Sequence, residues 1–245
     1  MRLSVIVPAF NEEENLAANI GKFNDYLRRQ NYDYEIIIVN DGSADGTKKI
    51  AEELAAENKN LKLINNKKNQ GKGAAVRQGL LSARGEYRLF IDADNATSIN
   101  HTDKIWAFFN NGYDIVIGSR NPRDAEGARQ ASPQPIWKRF LGICGNRVIQ
   151  SLAVKGIYDT QCGFKAFTKK AAEKIMPETT INRWGFDVEI LVIAEIIGYK
   201  IAVIPVRWIN SPNSRVGIKG YFSSFLEIIK IKWNLITGKY GSRHW

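Results

Sequence analysis

Tyr87-Arg88-Leu89-Phe90-Ile91-Asp92-Ala93-Asp94 is an apolar run that ends on two carboxylates two residues apart. The run reads as a buried strand. Carboxylates held that close repel each other, and burial penalises each one further. A hard divalent cation such as Mg2+ or Mn2+ removes both costs and brings a preferred partner of its own, a diphosphate. An isolated Asp-x-Asp recurs by chance and is more often a solvated turn. The residues around it decide between the two.

Residues 3–7, 35–39, 61–64, 88–91 and 115–117 read as strands, with the continuous Val, Ile and Leu character of a parallel sheet buried on both faces. Residues 11–30, 45–58, 71–84 and 101–111 read as helices between them. The alternation predicts a doubly wound α/β domain, Rossmann-like, with a mostly parallel central sheet flanked by helices. Ligands of such sheets bind beyond the carboxyl ends of the strands. Pro8-Ala9-Phe10-Asn11, Asn40-Asp41-Gly42-Ser43 and Asp92-Ala93-Asp94 all fall there, so one site is expected rather than three unrelated turns. After Arg120 the pattern changes. Residues 121–134 are polar, carry Pro122, Gly127 and Pro133, and read as a loop. Residues 136–154, 168–176, 186–197 and 219–236 read as helices, the first and last amphipathic, and 202–208 as a late strand. With no repeat and no clean linker, a single domain over 1–245 is expected.

The chain has 245 residues and a formal net charge of +10, with a pI near 9.5. That bias favours anionic partners. The cations concentrate after Arg120, while Glu12-Glu13-Glu14 makes an acidic cluster, so no uniform nucleic-acid coat exists and nucleic acid is not an expected partner. Two cysteines, Cys144 and Cys162, suggest neither a disulfide framework nor zinc, and a reducing cytosol is the simplest setting. The apolar stretch at 1–8 is too short for a signal peptide. No run reaches the roughly 18 apolar residues of a membrane span.

Asn40-Asp41-Gly42-Ser43-Ala44-Asp45-Gly46 with Glu52 nearly fits a calcium loop, but a strand rather than a helix precedes it. A strand-to-helix turn is the better account, with Asp41 aimed at a ligand and Asp45 or Thr47 capping the next helix. Asn69-Gln70-Gly71-Lys72-Gly73 precedes another helix without forming a full phosphate loop. Lys72 is either a phosphate contact or a solvated surface lysine.

Taken together, Val7-Pro8-Ala9-Phe10-Asn11-Glu12, Val39-Asn40-Asp41-Gly42-Ser43, Asp92-Ala93-Asp94 and Gly118-Ser119-Arg120 resemble the inverting nucleotide-sugar glycosyltransferases of family 2, which have the GT-A fold. Asp159-Thr160-Gln161-Cys162-Gly163-Phe164-Lys165 and Arg183-Trp184-Gly185-Phe186-Asp187-Val188-Glu189 resemble, within that family, the dolichyl-phosphate β-glucosyltransferases. The resemblance implies a nucleotide-sugar-binding half at 1–120 and an acceptor-binding half at 121–245. It implies UDP-glucose as donor, a polyprenyl phosphate lipid as acceptor, and Mg2+ or Mn2+ as cofactor. Pro8, Ala9, Phe10, Asn11 and Glu12 would line the nucleoside pocket, with Asp41 on the uracil or ribose and Lys72 among the donor contacts. Asp92, Ala93 and Asp94 would meet metal and diphosphate. Arg120, Arg139 and Arg215 would face the phosphates, and Gln161, Trp184 and Asp187 the transferred sugar. Asn95 stands where a glycine is expected, so the metal shell is expected to gain its side chain. Other donors (GDP-mannose, UDP-galactose), a glycan hydroxyl as acceptor, and a binding module without turnover are the alternatives.

An alcohol acceptor needs a general base, whereas a phosphate monoester, with a second pKa of about 6, arrives already ionised. What it needs is relief from repulsion by the donor, which forked arginines supply. Three roles are open for Asp187: a vestigial base, an acceptor for a sugar hydroxyl, or an ion-pair partner for Arg183; the hydroxyl role is favoured. The helices at 136–154 and 219–236 mix Trp, Phe and Ile with Lys and Arg. Each suits either core packing or a membrane surface, and the last helix suits self-association as well. A cytoplasmic protein, peripheral on the cytosolic face of a membrane, is expected.

Overall fold

The computed structural model of the chain describes residues 1–130, 136–209 and 218–241. Strands β1 (Leu3–Ala9), β2 (Tyr34–Asn40), β3 (Leu61–Asn65), β4 (Tyr87–Ile91) and β5 (Ile115–Ser119) alternate with helices α1 (Leu16–Arg28), α2 (Thr47–Glu57), α3 (Lys72–Ser82) and α4 (Ile105–Asn110). There follow β6 (Arg129–Gln130), α5 (Ile136–Leu152), β7 (Phe164–Thr168), α6 (Lys169–Ile175), α7 (Phe186–Ile197), β8 (Ile201–Pro205), β9 (Arg207–Trp208) and α8 (Ile218–Ile236). The described strands form a seven-stranded sheet in the order β3-β2-β1-β4-β7-β5-β8, and β6 pairs with β9 apart from it. The sheet is parallel except for β7, which runs antiparallel between β4 and β5.

Alternate residues of each strand feed two cores. Ile6, Ile37, Phe90, Ile117 and Phe167 face the side covered by α3, α6 and α7. Val5, Ile36, Leu89, Val116 and Phe164 face the side covered by α1 and α4. Each such side chain contributes about 1.5–3 kcal/mol by leaving water. In α7 every residue from Phe186 to Ala194 is buried, so this helix is core on all sides. Among the described residues, no helix is long and apolar enough to cross a membrane.

Several expectations change. Residues 164–168, read as part of a motif and the start of a helix, are strand β7, whose five residues run Phe-Lys-Ala-Phe-Thr and are buried except at the last. The stretch 202–208 is broken at Val206, and its last two residues leave the main sheet to pair with β6, inside the supposed loop. The first helix starts at Leu16 rather than at Asn11, because Asn11 takes a left-handed backbone (φ 55°) that no helix can include. The N-cap of α2 is Gly46 rather than Asp45 or Thr47, and the Asp45 carboxylate stands one residue before it, accepting from the Thr47 amide at 3.0 Å.

Glu189 ties the C-terminal part to this frame. Fully buried in α7, it accepts from the amides of Thr180 and Ile181 (2.9 and 2.8 Å) and from Tyr240 Oη (2.6 Å). Asn234 of α8 donates to the same hydroxyl at 2.8 Å. Glu189→Gln turns one acceptor into a donor facing backbone amides, and should cost about 3 kcal/mol of stability. Tyr240→Phe should cost about 1 kcal/mol. Urea denaturation followed by circular dichroism measures both.

Candidate functional site

The loops after β1 and β2 are laced together at the carboxyl rim of the sheet. The Asn11 amide donates to Ser43 Oγ (2.9 Å), the Ala44 amide to Asn11 Oδ1 (2.8 Å), and the Glu12 amide to Thr47 Oγ1 (2.7 Å). Pro8 and Ala9 end β1, and Phe10 stands exposed beyond them. The buried Asp41 carboxylate accepts from the amides of Gln70 (2.9 Å) and Gly71 (2.8 Å) and from Asn66 Nδ2 (3.3 Å). A carboxylate has about four acceptor positions, so Asp41 fixes the turn before α3 and keeps little capacity beyond that. That turn needs its glycine: Gly71 has φ 103°, and a Cβ there would lie 2.3 Å from the Asn182 carbonyl oxygen.

Lys72 opens α3 and is no surface lysine. Its ammonium lies 2.6 Å from Asp92 Oδ1 and within 5.3 and 5.8 Å of the Phe90 and Trp184 ring centroids. A cation at a helix N-terminus opposes the helix dipole, and carboxylates compensate it here. Asp92, Asp187 and Asp94 together hold the Lys72 ammonium above its usual range against the opposing effect of burial. Asp92 is set from below by Gly163, whose carbonyl accepts the Asp92 amide at 3.2 Å. A Cβ on residue 163 would sit 1.9 Å from Asp92 Oδ2 and push this carboxylate from its place.

Burial, then repulsion from Asp92, raises the pKa of Asp94, although the Ala96 amide donates to its Oδ1 at 2.9 Å. Ala93 is buried, and its carbonyl accepts from Asn19. Asn95 has a left-handed backbone (φ 52°), and its Oδ1 is buried with no hydrogen-bond partner among the described residues. Two neighbouring carboxylates, the charge of one opposing ionisation of Asp94, beside an orphaned amide oxygen form an oxygen donor set that fits a hard divalent cation. Among the described residues no group of three or more His, Cys, Asp or Glu side chains could hold a metal, so further ligands would have to come from a bound diphosphate or water.

Arg120 makes a forked pair with Asp159, with Nε and Nη2 donating at 2.8 and 2.7 Å, and its own amide adds a third bond at 2.7 Å. Burial opposes the charge on Arg120, but Asp159 outweighs it and the pKa is raised. Arg120 acts electrostatically on both Asp92 and Asp94, which sets it beside the acidic pair. Asp187, on the first turn of α7, pairs with Lys165 Nζ at 2.5 Å and not with Arg183. Lys165 is fully buried and also donates to the Cys162 carbonyl. Burial raises the Asp187 pKa, and the ammonium of Lys165 pulls it back. Gln161 is exposed and donates to the Trp184 carbonyl at 3.2 Å. Cys162 is buried, and burial pushes its thiol up to about 12, so it is no nucleophile. The side chain of Arg139 and all of Arg215 lie outside the described residues.

Lys72, Asp92, Asp94, Asn95, Arg120 and Asp187 thus converge, while Asp41 is engaged with the backbone of the neighbouring turn. Sequence reasoning assigned no role to Asp159, Gly163 or Lys165. A signal for the last was present: one lysine inside Phe164-Lys165-Ala166-Phe167 is a charge that a buried strand has to neutralise.

A family model described as glycosyl transferase family 2 matches residues 4–176. The chain is 38% identical over 236 residues to a dolichyl-phosphate beta-glucosyltransferase of Trichomonas vaginalis, covering 92% of this chain and 69% of that one. It is 36% identical over 251 residues to the Homo sapiens dolichyl-phosphate beta-glucosyltransferase, covering 97% and 76%. Among solved structures, it resembles a glucosyl-3-phosphoglycerate synthase of Mycobacterium tuberculosis in complex with Mn2+, UDP-glucose and phosphoglyceric acid. That match has a TM-score of 0.68 at 17% identity and covers 95% of this chain and 80% of that one. A mannosyltransferase of Pyrobaculum calidifontis in complex with GDP-Man and Mn2+ matches with a TM-score of 0.58 at 19% identity, over 98% of this chain and 62% of that one. At these identities the two structures establish the shared GT-A fold.

Lys165→Met strands the Asp187 carboxylate in the core and should cost about 3–5 kcal/mol at neutral pH. The folded protein raises the Asp187 pKa, so the protonated form is the one that folding favours. Loss of Lys165 raises that pKa further, so the penalty relative to the wild type should be full only above the Asp187 pKa of the variant and shrink as the pH falls through it toward the wild-type value. Urea midpoints of the two proteins across a pH series measure the difference.

Proposed function

This chain belongs to glycosyl transferase family 2, and we propose that it moves glucose from UDP-glucose to a polyprenyl, dolichyl-type phosphate with inversion at the anomeric carbon. The observation that carries this reading is the convergence of Asp92, Asp94 and Asn95 with Lys72 and Arg120 at the carboxyl rim of the sheet. The names of the curated relatives favour a dolichyl phosphate acceptor. Asp92, Asp94 and the Asn95 side chain would hold Mg2+ or Mn2+, which when bound neutralises charge on the departing diphosphate. Pro8 to Glu12 would take the nucleoside, with Asp41 offering at most its one remaining acceptor position.

The new bond joins an acceptor phosphate oxygen to the anomeric carbon as the bond from that carbon to the UDP oxygen breaks, and UDP leaves with the electron pair. Lys72, paired with Asp92, would move to a donor phosphate oxygen. Arg120 adds fixed positive potential, with Arg139 and Arg215 proposed for the acceptor phosphate. The acceptor is already a dianion at neutral pH, so no base is required. Asp187, positioned by its pair with Lys165, would then accept a hydrogen bond from a sugar hydroxyl, near Gln161 and Trp184. A second reading, a glycan hydroxyl as acceptor with Asp187 as base, draws on the raised Asp187 pKa. The pair with Lys165 counts against it, because it favours the ionised form and occupies one oxygen.

A lipid acceptor calls for contact with a membrane surface. On α8, Phe225, Leu226, Ile229, Trp233 and Ile236 are exposed, with Trp233 at 65% and Ile236 at 70%. They recur at helical spacing on the side away from buried Ile228, Ile231 and Asn234. Lys230 and Lys232 flank them, as in a helix lying in an interface. In α5, by contrast, Ile149 is core and Leu152 packs against it. Attachment to the cytosolic face through α8 is therefore part of the proposal.

Incubation with a panel of UDP- and GDP-sugars and short polyprenyl phosphates, with the lipid product identified by mass, tests the reading. A β-glucosyl lipid from UDP-glucose is expected, abolished by chelator and reduced at least about 100-fold in Asp92→Asn and Asp94→Asn. Activity that persists under both treatments, or a product made only from another donor, overturns the corresponding part. Rates that stay flat from about pH 6.5 to 8, in the wild type and in Asp187→Asn, speak for a phosphate acceptor. Trp233→Glu with Ile236→Glu should weaken sedimentation with anionic vesicles about tenfold while leaving transfer to a detergent-dispersed acceptor intact.

A further inference from the structure

Away from the acidic pair, the β6–β9 ribbon borders an open pocket of about 510 Å3 whose charged and titratable lining is His101, Lys104, Arg129 and Arg207 with one carboxylate, Glu126. Arg129 and Arg207 occupy the same register position on two neighbouring strands, and like charges at such a position weaken the pairing. Among the described residues, no carboxylate forms an ion pair with Lys104, Arg129 or Arg207. Lys104 Nζ is pinned by the Pro205 carbonyl at 2.8 Å, which uses only one of its three donors. His101 Nε2 accepts from the Arg207 amide at 3.2 Å, which leaves the proton of the neutral ring on Nδ1 as a further donor. Burial, then Lys104, lowers the His101 pKa and keeps that ring neutral.

We propose that this cavity is a second anion site that takes a phosphate group carried on a larger molecule, apart from the diphosphate site at Asp92 and Asp94. Two guanidinium forks and an ammonium match the oxygens of a phosphate, and the volume leaves room for the group that bears it. The site shares a wall with the proposed active centre. Strand alternation turns Trp208 to the other face from Arg207, where its ring lies 5.5 Å from the Arg120 guanidinium. Trp208 also bridges to Thr97, and the Ile209 amide donates to the Ala96 carbonyl at 2.9 Å, just past Asp94 and Asn95. An anion between Arg129 and Arg207 relieves their repulsion and firms the ribbon that supports Arg120.

The chain has two histidines, so the His101 imidazole is readily assigned in nitrogen–proton spectra with a His101→Gln control. Sodium phosphate, titrated at constant ionic strength against chloride, should shift His101 saturably. Arg129→Gln and Arg207→Gln should each weaken that response about tenfold, while Lys72→Met leaves it unchanged. Lys104→Gln gives a third variant should either arginine variant fold poorly. Soluble dihexanoyl-phosphatidic acid and vesicles containing phosphatidic acid separate the possible sources. Co-sedimentation that falls in both arginine variants assigns a lipid headgroup; co-sedimentation unchanged in them, with the phosphate response of the wild type intact, assigns a soluble phosphate ester. A His101 signal that phosphate does not move saturably, or that moves equally in the arginine variants, overturns the proposal. None of these readouts depends on sugar transfer.

Discussion

The backbone ladder that β7 makes with β4 and β5 fixes where the charges of the site lie. Ile91 pairs with Phe164 and Phe90 with Lys165, in reverse direction to the rest of the sheet. One residue beyond the ladder, Gly163 passes beneath Asp92, where a Cβ would push the carboxylate from its place. Two residues along, the strand period turns Lys165 to the face of Phe90 and Ile117, where α7 delivers Asp187. A register slip of one residue would put Lys165 into the opposite core and leave Asp187 unpaired.

Around that ladder the charges alternate in sign: Lys165 with Asp187, Lys72 with Asp92, Arg120 with Asp159. Buried ion pairs of this kind add little to stability compared with an apolar core of the same shape. Their value lies in orientation, since a polar group already fixed in place needs no rearrangement when charge develops on a substrate. Asp94 and Asn95 are the members without a cation partner of their own, which is why the donor set points to a divalent ion.

The same chain separates three environments within one domain. The acidic centre faces the sheet rim, the arginine ribbon forms its wall, and the apolar face of α8 stands exposed beyond a helix anchored by Asn234, Tyr240 and Glu189. A transferase that joins a charged, soluble donor to a phosphate on a greasy chain needs these chemistries close together without mixing them.

Most of the frame was legible from local pattern. Five apolar runs, four intervening helices and three polar clusters at strand ends announced a parallel α/β sheet with one site, and Asp92 and Asp94 stood out only through the other two clusters on the same rim. The positive φ of Gly71 and the bond from the Thr47 amide to Asp45 are short-range backbone features that neighbours in sequence control, whereas the close approach of Gly71 to the Asn182 carbonyl is not. Lys72, Asp41, Arg120 and Asp187 were recognised as important, but their partners were not, because an ion pair joins residues distant in the chain. The antiparallel insertion of β7 was invisible for the same reason: periodicity tells which residues are buried in a strand and is silent on which strand lies beside it. Sequence by itself determined the layers, the rim and the acidic pair, through hydrophobic period and turn chemistry. Only the tertiary structure decided that Gly163, Lys165 and Asp159 complete the site, since pairing register and direction are set by contacts across the whole sheet.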